Sequence, residues 1–114
     1  MLKTILIDDE KAALDALEND LKKYCAGEVT ILEKCSSPIR GMQAIRRLKP
    51  DLIFLDIIMP EMTGFELLEI IGNINAHIIF VSGFDQYAVK AFEISAIDYL
   101  LKPVNKDRLQ QAVG

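Results

Sequence analysis

The chain has 114 residues, 51% of them hydrophobic and 26% charged, and its 13 Lys and Arg against 17 Asp and Glu leave a net charge of −4. That length supports one domain around one core and has no room for a second, and the composition is that of a folded chain rather than a disordered one. No apolar run approaches the ~18 residues of a membrane helix, and Met1-Leu2-Lys3-Thr4 leads straight into a strand-like run rather than a signal peptide. The expectation is a cytoplasmic domain with no membrane contact and, given its acidic balance, no nucleic-acid binding of its own.

In chain order, the first apolar, β-branched run is Thr4–Ile7. Leu14, Leu17, Leu21 and Tyr24 then recur at helical spacing. A second run, Val29–Leu32, leads to Ser37-Pro38, an N-cap followed by a first-turn proline. Ile39, Met42, Ile45 and Leu48 form the stripe of that helix, with Arg46, Arg47 and Lys49 on a solvated face, and Lys49-Pro50-Asp51 ends it. After the third run, Leu52–Leu55, Thr63-Gly64-Phe65-Glu66 fits a capping box. Leu67, Leu68 and Ile71 face inward there, and Gly72-Asn73 stops the helix. The fourth run is Ile78–Val81, after which Asp85 is placed to cap a helix burying Ala88, Ala91 and Phe92. The fifth run, Ile97–Leu101, precedes a helix capped by Asn105 that carries Leu109, Ala112 and Val113. That last helix is cut at Gly114 after about two turns, too few to stand alone, so the native chain is expected to continue. Cys25 and Cys35 lack metal-ligand or CxxC spacing and read as free thiols, with a disulfide left open.

Strand and helix alternating five times specify an α/β, doubly wound parallel sheet covered by helices on both faces. Ligands of such sheets bind beyond the carboxyl ends of the strands. The first strand leads there into Asp8-Asp9-Glu10, the third into Asp56, the fourth into Ser82-Gly83 and the fifth into Lys102-Pro103. Three crowded carboxylates repel one another, and a hard divalent cation such as Mg²⁺ relieves the repulsion while leaving positions open for phosphate oxygens. Lys102 offers a point charge to a phosphoryl oxygen, and Ser82 a hydrogen bond to another. Asp56 is the natural nucleophile, since a carboxylate can form an aspartyl phosphate.

These residues, Ile5-Leu6-Ile7-Asp8-Asp9-Glu10, Asp51 through Pro60, Gly64, Ser82 and Lys102-Pro103, give the chain a resemblance to the receiver domain of bacterial two-component response regulators over its whole length, 1–114. The resemblance implies a flavodoxin-like five-stranded sheet in the order 2-1-3-4-5. It implies Asp56 as phosphoacceptor, charged by a sensor histidine kinase. Asp9, Asp56 and the Ile58 backbone carbonyl would be direct Mg²⁺ ligands, with Asp8 acting through water. Lys102 would bind the phosphoryl group, Ser82 and Tyr99 would form the switch pair, and the peptide bond before Pro103 would be cis. Gly83 departs mildly from the alanine frequent in the family. The stretch from Phe84 to Glu93, followed by Ala96 through Pro103, most resembles receivers of LytTR-type transcriptional regulators. That implies DNA contact only through an output domain absent here. Lys90, Glu93, Asp98 and Tyr99, around the switch, are expected to support a phosphorylation-dependent homodimer through the fourth helix, fifth strand and fifth helix.

Two other classes fit less well. A haloacid dehalogenase-type phosphohydrolase places its nucleophile after the first strand and would leave Asp56 and Met59-Pro60 without a role. An FMN-binding flavodoxin needs a Ser/Thr- and Gly-rich phosphate loop where this chain has Asp8-Asp9-Glu10. The chain is therefore read as no enzyme apart from catalysing its own phosphorylation and dephosphorylation. Ile58 and Phe84 are bulky, apolar and two residues past Asp56 and Ser82, and they are expected to hinder the water that would hydrolyse an aspartyl phosphate.

Overall fold

Five strands, β1 (Leu2–Ile7), β2 (Val29–Cys35), β3 (Leu52–Asp56), β4 (His77–Ser82) and β5 (Asp98–Leu101), alternate with five helices in a computed structural model that describes residues 1–114. The helices are α1 (Lys11–Tyr24), α2 (Pro38–Leu48), α3 (Gly64–Ile71), α4 (Ala88–Glu93) and α5 (Lys106–Val113). All strand pairs are parallel, in the order β2-β1-β3-β4-β5. The fold is thus the flavodoxin-like α/β arrangement the sequence implied.

The period of two along a strand sorts side chains onto two cores. On β3, Ile53 and Leu55 join Ala44 and Ile45 of α2, Leu67 of α3 and Ala91 of α4. Leu52 and Phe54 point the other way, onto Leu14, Leu17 and Leu21 of α1 and Leu109 of α5. Cys35 belongs to the first core and Cys25 to the second. The sheet separates them, and both are free thiols. Burial pushes the Cys25 thiol up, and burial together with Glu33 pushes Cys35 to about 12, so neither is a nucleophile at neutral pH.

Three helix starts, those of α2, α3 and α5, form where the sequence placed them. Ser37 Oγ accepts from the Arg40 N–H at 3.2 Å, and α2 closes on Lys49 in the left-handed region at φ 49°. Thr63 and Glu66 make a reciprocal capping box at 3.1 and 2.9 Å. Asn105 accepts from Asp107 and Arg108. No helix is long and apolar enough to cross a membrane.

Four local readings change. The face of α2 that packs inward is Pro38, Gly41, Ala44 and Ile45, which leaves Ile39 53% exposed. Gly41 centres that face, and a Cβ there would lie 2.7 Å from Ile7 Cδ1, so any larger residue would force the Ile7 side chain to shift. In α4 only Ala91 is buried, and Phe92, one residue round a six-residue helix, is 55% exposed. Asp85 caps nothing with its side chain; its backbone carbonyl accepts from the Ala88 N–H, and Tyr87 is the N-cap. Ile97 lies outside β5 and is exposed.

Candidate functional site

The strand order reverses between β1 and β3, and Asp8 and Asp56 emerge there. Asp56 is the last residue of β3, and Asp8 directly follows β1; each is 6% exposed. Asp9, next along, is more open. One carboxylate oxygen from each of Asp8, Asp9 and Asp56 lies within 4.8 Å of the others. The Asp8 N–H donates to the Cys35 carbonyl at 3.1 Å, and Asp8 Oδ1 accepts from the Glu10 N–H at 2.9 Å. The first bond fixes the Asp8 main chain and the second its carboxylate.

Lys102 follows β5 and reaches into the same crevice. Its Nζ lies 2.7 Å from Asp8 Oδ2, 3.8 Å from Asp56 Oδ2 and 4.0 Å from Glu10. Burial works against the ammonium, but Asp8, Asp56 and Glu10 outweigh it and hold Lys102 above its ordinary pKa. Asp56 moves the opposite way. Burial first, and then the charge of Asp8, raise it from 3.8 to about 7, with Lys102 only partly opposing. Three carboxylates against one ammonium leave a negative, all-oxygen site at the sheet edge. That donor set fits a hard divalent cation of the Mg²⁺ kind.

Ser82 ends β4, wholly buried, and its Oγ accepts from the Phe84 N–H at 3.1 Å. Its carbonyl accepts from the Lys102 N–H at 2.7 Å, which ties the lysine to the serine strand. The Tyr99 hydroxyl donates to the Phe84 carbonyl. Burial raises the Tyr99 phenol above its ordinary value, and Ser82 acts against that rise. Both main-chain polar groups of Phe84 are thus held, the N–H by Ser82 and the C=O by Tyr99. Sequence inspection misses this link because backbone groups leave no residue signature. The Phe84 ring is half-exposed and packs edge-on against Tyr87 at 6.4 Å, and Tyr87 in turn lies 6.2 Å from Phe65. The peptide bond before Pro103 is cis.

Ile58 sits in the loop between β3 and α3 with its side chain 42% exposed. Gly64, at the start of α3, closes that loop. Its N–H donates to the Ile57 carbonyl at 2.8 Å, and a Cβ there would lie 2.5 Å from the Asp56 carbonyl oxygen. Asp8, Asp9, Asp56, Ser82 and Lys102 therefore converge on one edge, with Tyr99 linked to Ser82 through the backbone of Phe84.

The sequence profile described as "Response regulator receiver domain" matches residues 4–114. The chain is 43% identical over 114 residues to an uncharacterized response regulatory protein of Vibrio cholerae serotype O1, covering 99% of this chain and 47% of the relative. It is 38% identical over 115 residues to the transcriptional regulatory protein BtsR of Escherichia coli strain K12, covering 100% and 47%. The chain thus spans about half the length of these curated relatives. Among solved structures, the response regulatory domain of protein mrkE from Klebsiella pneumoniae superposes with a TM-score of 0.85 at 28% identity, over 97% of this chain and 91% of that one. A LuxR-family DNA-binding response regulator from Staphylococcus aureus superposes with a TM-score of 0.86 at 27% identity, over 99% and 96%.

Proposed function

The chain belongs to the response regulator receiver family of two-component signalling, and on that premise we propose that Asp56 is its phosphoacceptor, charged by a sensor histidine kinase. The observation that carries this is the convergence on buried Asp56 of two further carboxylates within 4.8 Å and the Lys102 ammonium at 3.8 Å. An Asp56 oxygen attacks the phosphorus, the new P–O bond forms, and the bond to the donor's leaving nitrogen or oxygen breaks with its electrons going to that atom. Positioning and charge stabilisation are most of what a protein contributes to such a transfer. Lys102 and the Ser82 hydroxyl each bind a phosphoryl oxygen. Asp9, Asp56 and the Ile58 carbonyl are the proposed direct Mg²⁺ ligands, with Asp8 holding the ion through water. When bound, Mg²⁺ neutralises the acid cluster and stabilises charge on the transferring group.

Phosphorylation changes the charge at Asp56 to about −1.5 to −2 and adds acceptor oxygens. Ser82 then has a stronger partner than the Phe84 N–H, and its movement releases one of the two bonds that hold the Phe84 peptide. Tyr99 holds the other, so the event reaches α4 and β5. A shift from 1:99 to 99:1 between the two arrangements takes roughly 5.5 kcal/mol of differential stabilisation.

The face made of α4, β5 and α5 is the proposed output surface and homodimer contact. Val89, Phe92 and Leu101 are exposed on its first two elements, beside Lys90, Glu93 and Asp98. Residues 1–114 are proposed to be the receiver unit of a longer regulator, with a C-terminal DNA-binding domain of the LytTR type. The relatives' length and the name of the E. coli relative, a transcriptional regulatory protein, support a longer regulator of transcription; the LytTR type rests on the resemblance of residues 84–103. The central test is phosphorylation itself. With Mg²⁺ and acetyl phosphate, mass spectrometry should find one phosphoryl group on Asp56 and none on Asp56→Ala. Labelling that survives the substitution would reassign the acceptor.

A further inference from the structure

Between α1 and the sheet lies a cavity of about 230 Å³ that the phosphorylation chemistry does not use. Its floor is strand side chains, Phe54 and Val81 among them, and its walls are Leu17 on α1 and Val104 after β5. Ala13 and Ala16 of α1 also line it, and side chains this small leave the space open. Ala13 and Asp20, both lining residues, are seven positions apart on one helix, about 10 Å along its axis. The space is therefore elongated. A cavity of about 150 Å³ with similar walls holds a benzene ring, so this one has room for a ring and a short tail.

Its charges select the tail. Asp8 and Lys102 line the cavity, but they are paired with each other at 2.7 Å, and Lys102 also faces Asp56. An anion entering the cavity finds no uncommitted cation there. Asp20 is different. The other acids on its stretch of α1, Asp15 and Glu18, are both taken by Lys34, whereas Asp20 lines the cavity half-buried and without an ion-pair partner.

We propose that this cavity is a binding site for a small organic amine, its ring-sized apolar body against Leu17, Phe54, Val81 and Val104 and its ammonium on Asp20. Because Asp8 and Lys102 line both this cavity and the acid cluster, occupancy is coupled to the phosphoacceptor site, and the coupling is reciprocal. The coupling rests on the function proposed for Asp56; the binding does not.

The test is a backbone amide NMR titration of the whole 114-residue chain without Mg²⁺ or phosphodonor, using phenethylamine, 2-phenylethanol and 3-phenylpropionate as separate probes. Phenethylamine should shift amides from Ala13 to Asp20, Val81 and Val104. It should bind up to about fivefold tighter than the alcohol, the upper range of one partly exposed ion pair, with the propionate weakest. Asp20→Asn should erase the amine's advantage and leave the alcohol's affinity unchanged. Ala13→Leu should block all three probes. If the leucine variant does not fold, Asp20→Asn, at a half-exposed position, is sufficient to decide between binding and its absence. Equal affinities for amine and alcohol, shifts confined to other parts of the chain, or no shift at millimolar probe would each overturn the proposal. None of those results bears on phosphorylation of Asp56, and a failure of Asp56 to accept phosphate would leave the binding result standing.

Discussion

The raised pKa of Asp56 makes the metal-free domain less stable as pH rises, and Asp56→Asn should reveal this. The folded state holds the Asp56 proton up to about pH 7, whereas an unfolded chain releases it near 3.8. Between those values the native state binds more protons than the unfolded state, so unfolding free energy falls with rising pH. The stability that protonation preserves is fully present below about pH 4 and gone above about pH 7. Burial is the first cause and the Asp8 charge the second. At about 1.36 kcal/mol per pH unit the difference has a ceiling of roughly 4 kcal/mol. Asp8 and Lys102 rearrange around the ionised carboxylate, so the expected gain for Asp56→Asn at pH 8 is about 1–3 kcal/mol, the cost of one poorly satisfied buried group. That corresponds to a rise in Tm of roughly 4 °C or more per kcal/mol.

The assay is a set of thermal or urea unfolding curves for wild type and Asp56→Asn in EDTA from pH 4.5 to 8.5. Other groups titrate as well. Lys34 lowers the pKa of Asp15 and Glu18, so their contributions are present above the ordinary carboxylate range and lost as pH falls. Both groups are common to the two proteins, and the difference curve cancels them. It should be smallest at pH 4.5, rise towards pH 7 and level off above it. Mg²⁺ should do the converse, stabilising wild type by mass action far more at pH 8 than at pH 5, with Asp9→Ala losing most of that gain. A difference curve that is flat with pH, or a variant no more stable than wild type at pH 8, would refute the electrostatic account of the cluster.

Gly64→Ala puts a Cβ 2.5 Å from the Asp56 carbonyl oxygen. It should cost about 1–3 kcal/mol in urea unfolding and slow acetyl phosphate labelling; a variant with wild-type stability would show that the loop absorbs the clash. Sedimentation with and without beryllofluoride tests the α4–β5–α5 face. A phosphoryl-mimic-dependent dimer lost in Phe92→Glu is expected, and an unchanged mass with unchanged amide exchange over α4 would reject it. In the variant carrying both Ile58→Asn and Phe84→Lys, the aspartyl phosphate should hydrolyse faster, because water gains access and a hydrogen-bonding partner. A rate equal to or below wild type, followed by loss of phosphate from Asp56, would show that these half-exposed side chains do not shield the site.

The fold was legible because each strand run is apolar on both faces and three of the five helices, α2, α3 and α5, carry their own start signal. Thr63 and Glu66 announce α3 before any contact is known, and they form the reciprocal bonds their spacing implies. Side-chain faces were less legible. Ile39 fits an apolar stripe in sequence, yet α2 turns its Gly41 side to Ile7 because the closest approach wins the packing. Phe92 fits one as well, but α4 is only six residues long and buries Ala91 alone. In both cases, counting apolar residues cannot say which of two adjacent directions the sheet will cover.

The site was legible for a geometric reason. A parallel strand that ends in a polar residue must deliver it to the carboxyl edge, and five parallel strands deliver all such residues to the same edge. Asp8, Asp56, Ser82 and Lys102 each stand at or one residue beyond a strand end, so knowing where each strand stops is enough to gather them. The features that sequence does not display are not carried by a side chain at a strand end. The Phe84 peptide, held between Ser82 and Tyr99, is backbone. The cavity beside Asp20 is a volume left by two alanines on α1. Chemistry borne by side chains can be read from strand ends, whereas bonds made by the main chain and empty space require the coordinates. The coupling proposed between acceptor and output face falls in the second class, because its route is the N–H and C=O of residue 84, which any residue but proline would supply.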